Sequence, residues 1–422
     1  YRLDRGHENE ISSFNEALIN ISNEKSLTIQ NLKFDKRQDT KPQALTDKIV
    51  ALVHFGRSGT GLMHSLLDGH PEISTMPSIY FSEYFDHSTW EKITSGGWSG
   101  MVDRFIAIYD ILFDASSTVP IASKSKQLKY NIGTEEGLTN VGNQRDEVLT
   151  LDRDIFKSEL NSLMEHYREM DAFVFFKLVH AAYDKVIKNF HKKSLIFYHI
   201  HNPDTYARLN FTRFSGKASW VMMVREPIQS CESWVLTDYQ QYDYPKIVNK
   251  IISMLFEIDS VIFHKHSSIG VRLEDLKERP RKTIPALCKW MGIDENESLY
   301  QMTVGNKKWW GDPSSPDYSK EGMKPFGKTS IKRKVGSVFS KNDQLVLNTL
   351  FFPFNVRFGY TTVDDKIFQV NLQRIRPKLD DIFDFEKKII EETDATPSDF
   401  MKSGTYLYFR SCLIERWSTL NQ

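Results

Sequence analysis

Cysteine is scarce in this chain: Cys231, Cys288 and Cys412 are the only three in 422 residues. An odd, widely spaced set argues against a disulfide framework and against a zinc site. Cys231 and Cys288 lie in apolar helical patterns, as small core residues do. Long apolar runs are also missing, and none approaches the roughly 20 residues that a membrane helix needs. No membrane span is therefore expected in this chain. No basic n-region followed by an apolar h-region opens it, and a reducing cytoplasm is the expected compartment. The chain begins at Tyr1 rather than Met, as one trimmed from a longer protein would. It has no excess of either charge: 55 Lys+Arg stand against 55 Asp+Glu. No global field draws nucleic acid or a membrane surface, so any basic site has to be argued locally. Internal repeats and low-complexity tracts are absent as well.

What is present is an alternation of strands and helices. Residues 49–55, 172–179, 195–201, 220–224 and 269–273 are short, apolar and aromatic or β-branched, as buried strands are. Helical patterns cover 60–68, 90–113, 153–168, 228–236, 245–266 and 280–291. This predicts an α/β fold, a P-loop-like parallel sheet of about five strands with helices on both faces. Ligands bind such sheets beyond the carboxyl ends of the strands. Residues 115–150 and 305–330 read as long loops, of the kind that form substrate lids or are disordered. The expected divisions are a helical and linker extension over 1–46, a body over 47–362 and a helical C-terminal extension over 363–422.

Residues 49–71, IVALVHFGRSGTGLMHSLLDGHP, carry the sharpest signal. An apolar run breaks at Gly56 into a Gly/Ser/Thr loop, which opens into a helix with Leu62, Leu66 and Leu67 on one face. Gly69 and Pro71 supply a stop. A strand, a glycine turn and a helix N-terminus together cradle an anion through free N–H groups and the positive end of the helix dipole. The spacing Gly56-x4-Gly61 is that of a P-loop, but Leu62 and Met63 stand where Lys and Ser/Thr would be. The phosphate cradle is kept, while the lysine for the β/γ-phosphates and the hydroxyl for magnesium are gone. Arg57 inside the loop, followed by Ser58, Gly59 and Thr60, has little packing use and a clear anion use.

The segment WVMMVREPIQSCESWV, residues 220–235, repeats the logic. A strand delivers Arg225, Pro227 opens a helix, and Ser230 and Ser233 follow on its first turns. Taken singly, Arg225 could equally be a salt-bridge partner of Glu226. The two segments together resemble the nucleotide-binding blocks of the sulfotransferases that use 3′-phosphoadenosine 5′-phosphosulfate (PAPS). Arg57-Ser58-Gly59-Thr60 is similar to the family's first block, His70-Pro71 to a pair found after it, and Arg225 with Ser233 to its second block. RLEDLKERPRKTIPALCKWMGI, residues 272–293, and IKRKVGSVFS, near residue 335, are similar to two further segments. The resemblance runs over about 49–360.

The resemblance implies transfer of a sulfuryl group from PAPS, without a metal, to a hydroxyl- or amine-bearing small molecule or carbohydrate. Arg57 would then stabilise charge on the leaving 5′-phosphate, bound also by Ser58, Gly59, Thr60 and Gly61. Arg225 and Ser233 would hold the 3′-phosphate, helped by one or more of Lys332, Arg333 and Lys334, which otherwise form a solvated basic run. For the acceptor's proton the family uses a histidine after a strand, and His201 in YHIHNPD is the best match. His199 shares its side by strand alternation. Lys177 and His180, at the end of the expected strand 172–179, are rivals. The tyrosine-modifying branch uses a glutamate after the His-Pro pair, and the nearest carboxylate here is Glu83. WWGDPSSPDY, residues 309–318, reads as acceptor pocket or as simple packing. Two other readings stand beside this one: a P-loop kinase-like phosphotransferase, and a non-catalytic binding module on a sulfotransferase scaffold.

Overall fold

The structure is a computed structural model that describes residues 32–33, 45–77, 81, 83–117, 119–120, 129–130, 132–200, 205–257, 267–313, 315, 318–328 and 335–422. Most of the expected extension over 1–46, His201 and the basic run Lys332, Arg333 and Lys334 lie outside these residues.

Five strands form one parallel sheet: β1 (Ile49–His54), β2 (Ile73–Ser74), β3 (Leu195–His199), β4 (Ser219–Val224) and β5 (Ser268–Arg272). Their spatial order is β2-β3-β1-β4-β5. β1 pairs through Leu52↔His199 with β3 and through His54↔Met223 with β4, so it is central. The chain lays β3 on one side of β1 and β4 on the other, which opens a crevice at the carboxyl end of β1.

The principal helices are α1 (Thr60–Leu67), α2 (Arg153–Met164), α3 (Ala172–Val186), α4 (Pro227–Gln240), α5 (Tyr244–Glu257), α6 (Pro280–Met291), α7 (Lys341–Leu350) and α8 (Gly404–Leu420). Alternation along β1 sorts them into two layers. Ile49, Ala51 and Val53 face a core built with α3, α4, α5, α7 and α8. Val50 and Leu52 face a second core with Leu62 and Leu66 of α1 and Leu287 and Met291 of α6. The C-terminal helices contribute Leu372, Phe385, Phe409 and Leu413 to the first core. Both faces of the sheet are covered, as a parallel sheet requires.

Three sequence expectations need correction. Residues 172–179 are not a strand but the first half of α3. Asp171 caps it by accepting from Val174 N at 2.7 Å, and Phe175, Val179 and Tyr183 recur at helical spacing on its buried face. The missing strand is β2, two residues long. Residues 90–113 form three helices rather than one, His87–Thr94, Met101–Ile108 and Asp110–Phe113. The first break falls at Gly96, Gly97 and Gly100, with φ of 80°, 83° and 73°, where a helix cannot continue. Arg104 bridges it, donating to Ile93 O at 2.8 Å and Ser99 O at 2.9 Å.

Candidate anion-binding site

The loop after β1 is held from three directions. Phe55 N donates to Met223 O of β4 at 3.0 Å, and Phe55 O accepts from the buried Ser230 hydroxyl of α4 at 2.7 Å. His54 Nδ1 lies 2.7 Å from Gly56 O. Gly56 and Gly59 take positive φ, 60° and 86°, and a Cβ at Gly59 would stand 2.6 Å from Leu273 Cδ1. Only glycine fits the second position without displacement. Gly59 is the N-cap of α1 and offers no side-chain cap, so the first-turn amides keep their positive end for another partner. Ser58 is buried, Gly59 and Thr60 are half-buried, and Arg57 and Gly61 are exposed. Leu62 and Met63 are buried in the second core. The positions that carry Lys and a hydroxyl in a magnesium-using phosphate loop therefore point away from the cradle.

One wall of this site joins residues 309–312 to a turn at 136–137 that no sequence motif marks. Arg57 Nη2 pairs with Asp312 Oδ2 at 3.4 Å. The Trp309 ring would lie 3.6 Å from a Cβ at Gly61, and its Nε1 donates to Glu136 O at 2.9 Å. A Cβ on Gly137 would stand 2.4 Å from Gly311 O, so the 136–137 and 309–312 segments are pressed together beside α1. Burial pushes the Glu136 carboxyl up to about 7, with the Asp312 charge adding and Arg57 opposing. The WWGDPSSPDY segment thus begins as a wall of the cradle. Glu136 lies in a stretch read only as loop, and nothing local marks it.

The second strand–helix unit differs. Arg225 directly follows β4 and is buried, its Nη2 donating to Gln229 Oε1 at 3.2 Å. Glu226 caps α4, accepting from Ile228 N at 3.3 Å and Gln229 N at 2.7 Å, and its own N–H donates to Glu274 Oε1 at 3.1 Å. Glu274 also accepts from the Tyr360 hydroxyl at 2.8 Å, so the EDL segment braces this corner. Ser233 is half-buried on α4. Its neighbour Glu232 accepts from Gly336 N at 3.0 Å, the Ser337 hydroxyl at 2.7 Å and Phe339 N at 3.1 Å. The chain leaving the basic run is thereby tied next to Ser233. Trp234, one residue on, meets the His54 ring edge-on at 5.6 Å, which places this turn of α4 beside the end of β1.

On the expected acceptor side, His199 ends β3 and is buried, its ring 5.7 Å from that of His64 on α1. His180 belongs to α3, not to a strand end. Its Nδ1 lies 3.0 Å from the Ser74 hydroxyl, and burial, then the nearby His64, hold it at about 3, neutral at physiological pH. Lys177 on the same helix pairs with Asp47 Oδ1 at 2.7 Å, at the amino edge of β1 and away from the crevice. Glu83 is exposed on the turn beyond β2. His70 is spent on backbone: Nε2 lies 2.9 Å from Asp294 O, and Nδ1 accepts from Glu72 N at 3.1 Å. The structure thus gathers residues 57–61 with the Arg225–Ser233 unit around one crevice. Among the described residues no group of three His, Cys, Asp or Glu could hold a metal ion, and no helix is long and apolar enough to cross a membrane.

Searches against protein-family models and curated proteins return no match. Among solved structures, the chain is similar to the sulfotransferase domain of a Synechococcus olefin synthase, with 14% identity and a TM-score of 0.34 over 64% of this chain and 82% of that one. It is also similar to a sulfotransferase domain from the curacin biosynthetic pathway, with 13% identity and a TM-score of 0.32 over 63% of this chain and 80% of the other. A sulfotransferase from Mycobacterium avium is similar at 11% identity and a TM-score of 0.34, over 76% of this chain and 78% of its own. The likeness is one of fold, and the chemistry has to be argued from the side chains.

Proposed function

We propose that this chain is a sulfotransferase that moves the sulfuryl group of PAPS to a hydroxyl or amine of a small molecule or carbohydrate. The observation that carries the reading is the N-terminus of α1. It stands at the switch point of the sheet with no side-chain cap. Gly56 and Gly59 shape it, Arg57 guards it, and Leu62 and Met63 are buried where a magnesium-using loop would need polar groups. A cradle of this kind fits a 5′-phosphate, and the exposed Arg57 fits the group attached to it.

When bound, PAPS supplies an activated sulfuryl group on its 5′-phosphate. The amides of Gly59, Thr60 and Gly61 and the Thr60 hydroxyl bind that phosphate, and Ser58 fixes the loop by accepting from Phe55 N at 3.3 Å. Arg57 neutralises the negative charge that grows on the phosphate as the sulfuryl group departs. Arg225 and Ser233 hold the 3′-phosphate, helped by one or more of Lys332, Arg333 and Lys334. His201, two residues beyond the end of β3, takes the proton of the acceptor, because an imidazole titrates near working pH. His199, His180 and Glu83 are the alternatives for that role.

The test is incubation with 35S-labelled PAPS and an acceptor library in EDTA, with acid-stable products identified by mass spectrometry. Label in an organic product is the expected result. Magnesium-dependent transfer of the γ-phosphate of ATP would make the chain a phosphotransferase instead. PAPS binding with no transfer to any acceptor would make it a binding module.

A further inference from the structure

The strip of chain that walls the cradle continues into a pair of cations that the reading above does not use. Two adjacent indoles staple this strip to one loop: Trp309 Nε1 donates to Glu136 O at 2.9 Å, and Trp310 Nε1 to Gly142 O at 2.8 Å. Trp309 lies against Gly61 at the start of α1. The Trp310 ring carries charge instead. Lys308 Nζ stands 3.5 Å from its centroid and the Arg145 guanidinium 5.6 Å from it. The two charges therefore lie within about one Debye length of each other, roughly 10 Å at 0.1 M salt. Both are held in place. Lys308 pairs with Thr303 in a short hairpin, and Asp68 at the end of α1 fixes its turn by accepting from Gly305 N and Asn306 N, each at 3.1 Å. Arg145 takes a left-handed φ of 63°, which costs a residue with a Cβ about 1–2 kcal/mol. Its guanidinium stands 4.7 Å from the Tyr318 ring centroid, and donates to the Tyr318 hydroxyl and, at 2.7 Å, to Lys320 O. Neither cation is paired with a carboxylate among the described residues, and the nearby Glu147 is engaged by Lys307 at 2.7 Å.

We propose that Arg145 and Lys308 bind a carboxylate or sulfate of the acceptor, away from the hydroxyl or amine that receives the sulfuryl group, so that the acceptor is an acid. Two like charges fixed on one indole repel each other, and an anion between or beside them removes that cost. Arg145 offers five N–H donors and Lys308 three, more than their contacts within the chain use, and charge-assisted bonds to a carboxylate or sulfate are the strong kind. The distance sets the size of the acceptor. Lys308 is four residues from Asp312, which reaches Arg57 at 3.4 Å, and four residues span at most about 14 Å. A molecule that touches both places is extended, as an acidic oligosaccharide is, and a compact neutral alcohol reaches only one. The inference rests on the sulfotransferase reading above, with the donor at residues 57–61.

Calorimetry in EDTA tests it, on the chain saturated with 3′-phosphoadenosine 5′-phosphate (PAP) so that the cradle is already filled. The probe is sucrose octasulfate, a carbohydrate polyanion, and sucrose is its neutral control. Saturable binding of the octasulfate and none of sucrose is expected. Replacing Arg145→Gln and Lys308→Gln together is expected to weaken the octasulfate by about tenfold or more, the scale of a charged hydrogen bond, with PAP affinity unchanged. Lys308→Gln alone changes only an exposed side chain, is expected to lose a smaller part, and decides the matter if thermal melts show the double variant unfolded. Lys366→Gln, on an exposed position of the C-terminal helices that pack on the first core, is expected to bind as the wild type does. In the 35S transfer assay, acidic members of the library are expected to dominate the labelled products. An octasulfate that fails to bind, or that binds the variants as it binds the wild type, would overturn the proposal, as would products drawn only from neutral acceptors. If PAP binds and the octasulfate does not, this inference alone fails. If PAP itself does not bind, the donor-site reading fails and the acceptor role of Arg145 and Lys308 with it.

Discussion

The two strand–arginine–helix units of this sheet start from the same sequence logic and end in different structures. After β1, the helix begins at a left-handed glycine with no side-chain cap, and the Arg57 side chain is 43% exposed. After β4, the helix is capped by the Glu226 carboxylate, and Arg225 is 3% exposed. The second helix already has its anion, covalently attached. Its amides are therefore occupied, and any phosphate there must be held by side chains: Arg225, Ser233 and the segment tied to Glu232. An arginine at a strand end thus indicates an anion site at the helix N-terminus only when nothing local caps that helix. The first unit meets the condition, and the second does not. Ser230 joins the two by donating to Phe55 O.

Substitutions separate the two units. The largest effect is expected from Arg57→Ala, which should lower turnover by roughly 10²- to 10³-fold, the usual contribution of one donor to a developing oxyanion, with a smaller loss of PAP affinity. Steady-state kinetics with PAPS and calorimetry with PAP read both, and unchanged turnover would break the comparison at its first term. Arg225→Ala should weaken PAP by about tenfold or more, the scale of a charged hydrogen bond, while adenosine 5′-phosphosulfate, which lacks the 3′-phosphate, should lose little. Equal losses for both ligands would remove Arg225 from the 3′ site. Gly59→Ala forces a Cβ into the left-handed region and against Leu273, and should cost about 1–2 kcal/mol of stability together with PAP affinity, read by urea melts and calorimetry. Glu226→Ala removes only a cap. It should cost about 0.5–2 kcal/mol in the same melts while PAP affinity stays nearly constant. A marked gain or loss of affinity in that variant would show that the second helix terminus takes part in binding after all.

The first unit was legible because local rules agree there. An apolar run, a glycine-rich loop and a helical pattern follow one another, and α1 and β1 appear within a residue of their expected limits. α6 was legible for the same reason, with Pro280 at its start and the left-handed Gly292 at its end. Elsewhere tertiary packing overrode the local signal. Residues 172–179 look like a strand because α3 buries most of its circumference, which erases the polar face that marks a surface helix. Only the Asp171 cap and a length of 15 residues distinguish it. β2 is too short to show any period. His70-Pro71 matched a family pattern, yet the histidine is engaged with the backbone around Asp294 and Glu72. Glu136 had no local mark, and Asp312 lay in a segment read only as acceptor pocket or simple packing. Asp312 reaches Arg57 while Trp309 and Gly311 pack against the turn at 136–137, and no spacing rule connects residues 57, 136 and 312.

The central claim is that the open terminus of α1, with Arg57 and without a lysine or a magnesium-binding hydroxyl, binds the 5′-phosphate of a bisphosphorylated adenosine without a metal. Titration of PAP into the chain in EDTA, followed by the same titration with magnesium, tests it most directly. The account expects saturable binding in EDTA that magnesium leaves unchanged and Arg57→Ala weakens. Binding that appears only with magnesium, or that Arg57→Ala leaves untouched, would contradict it.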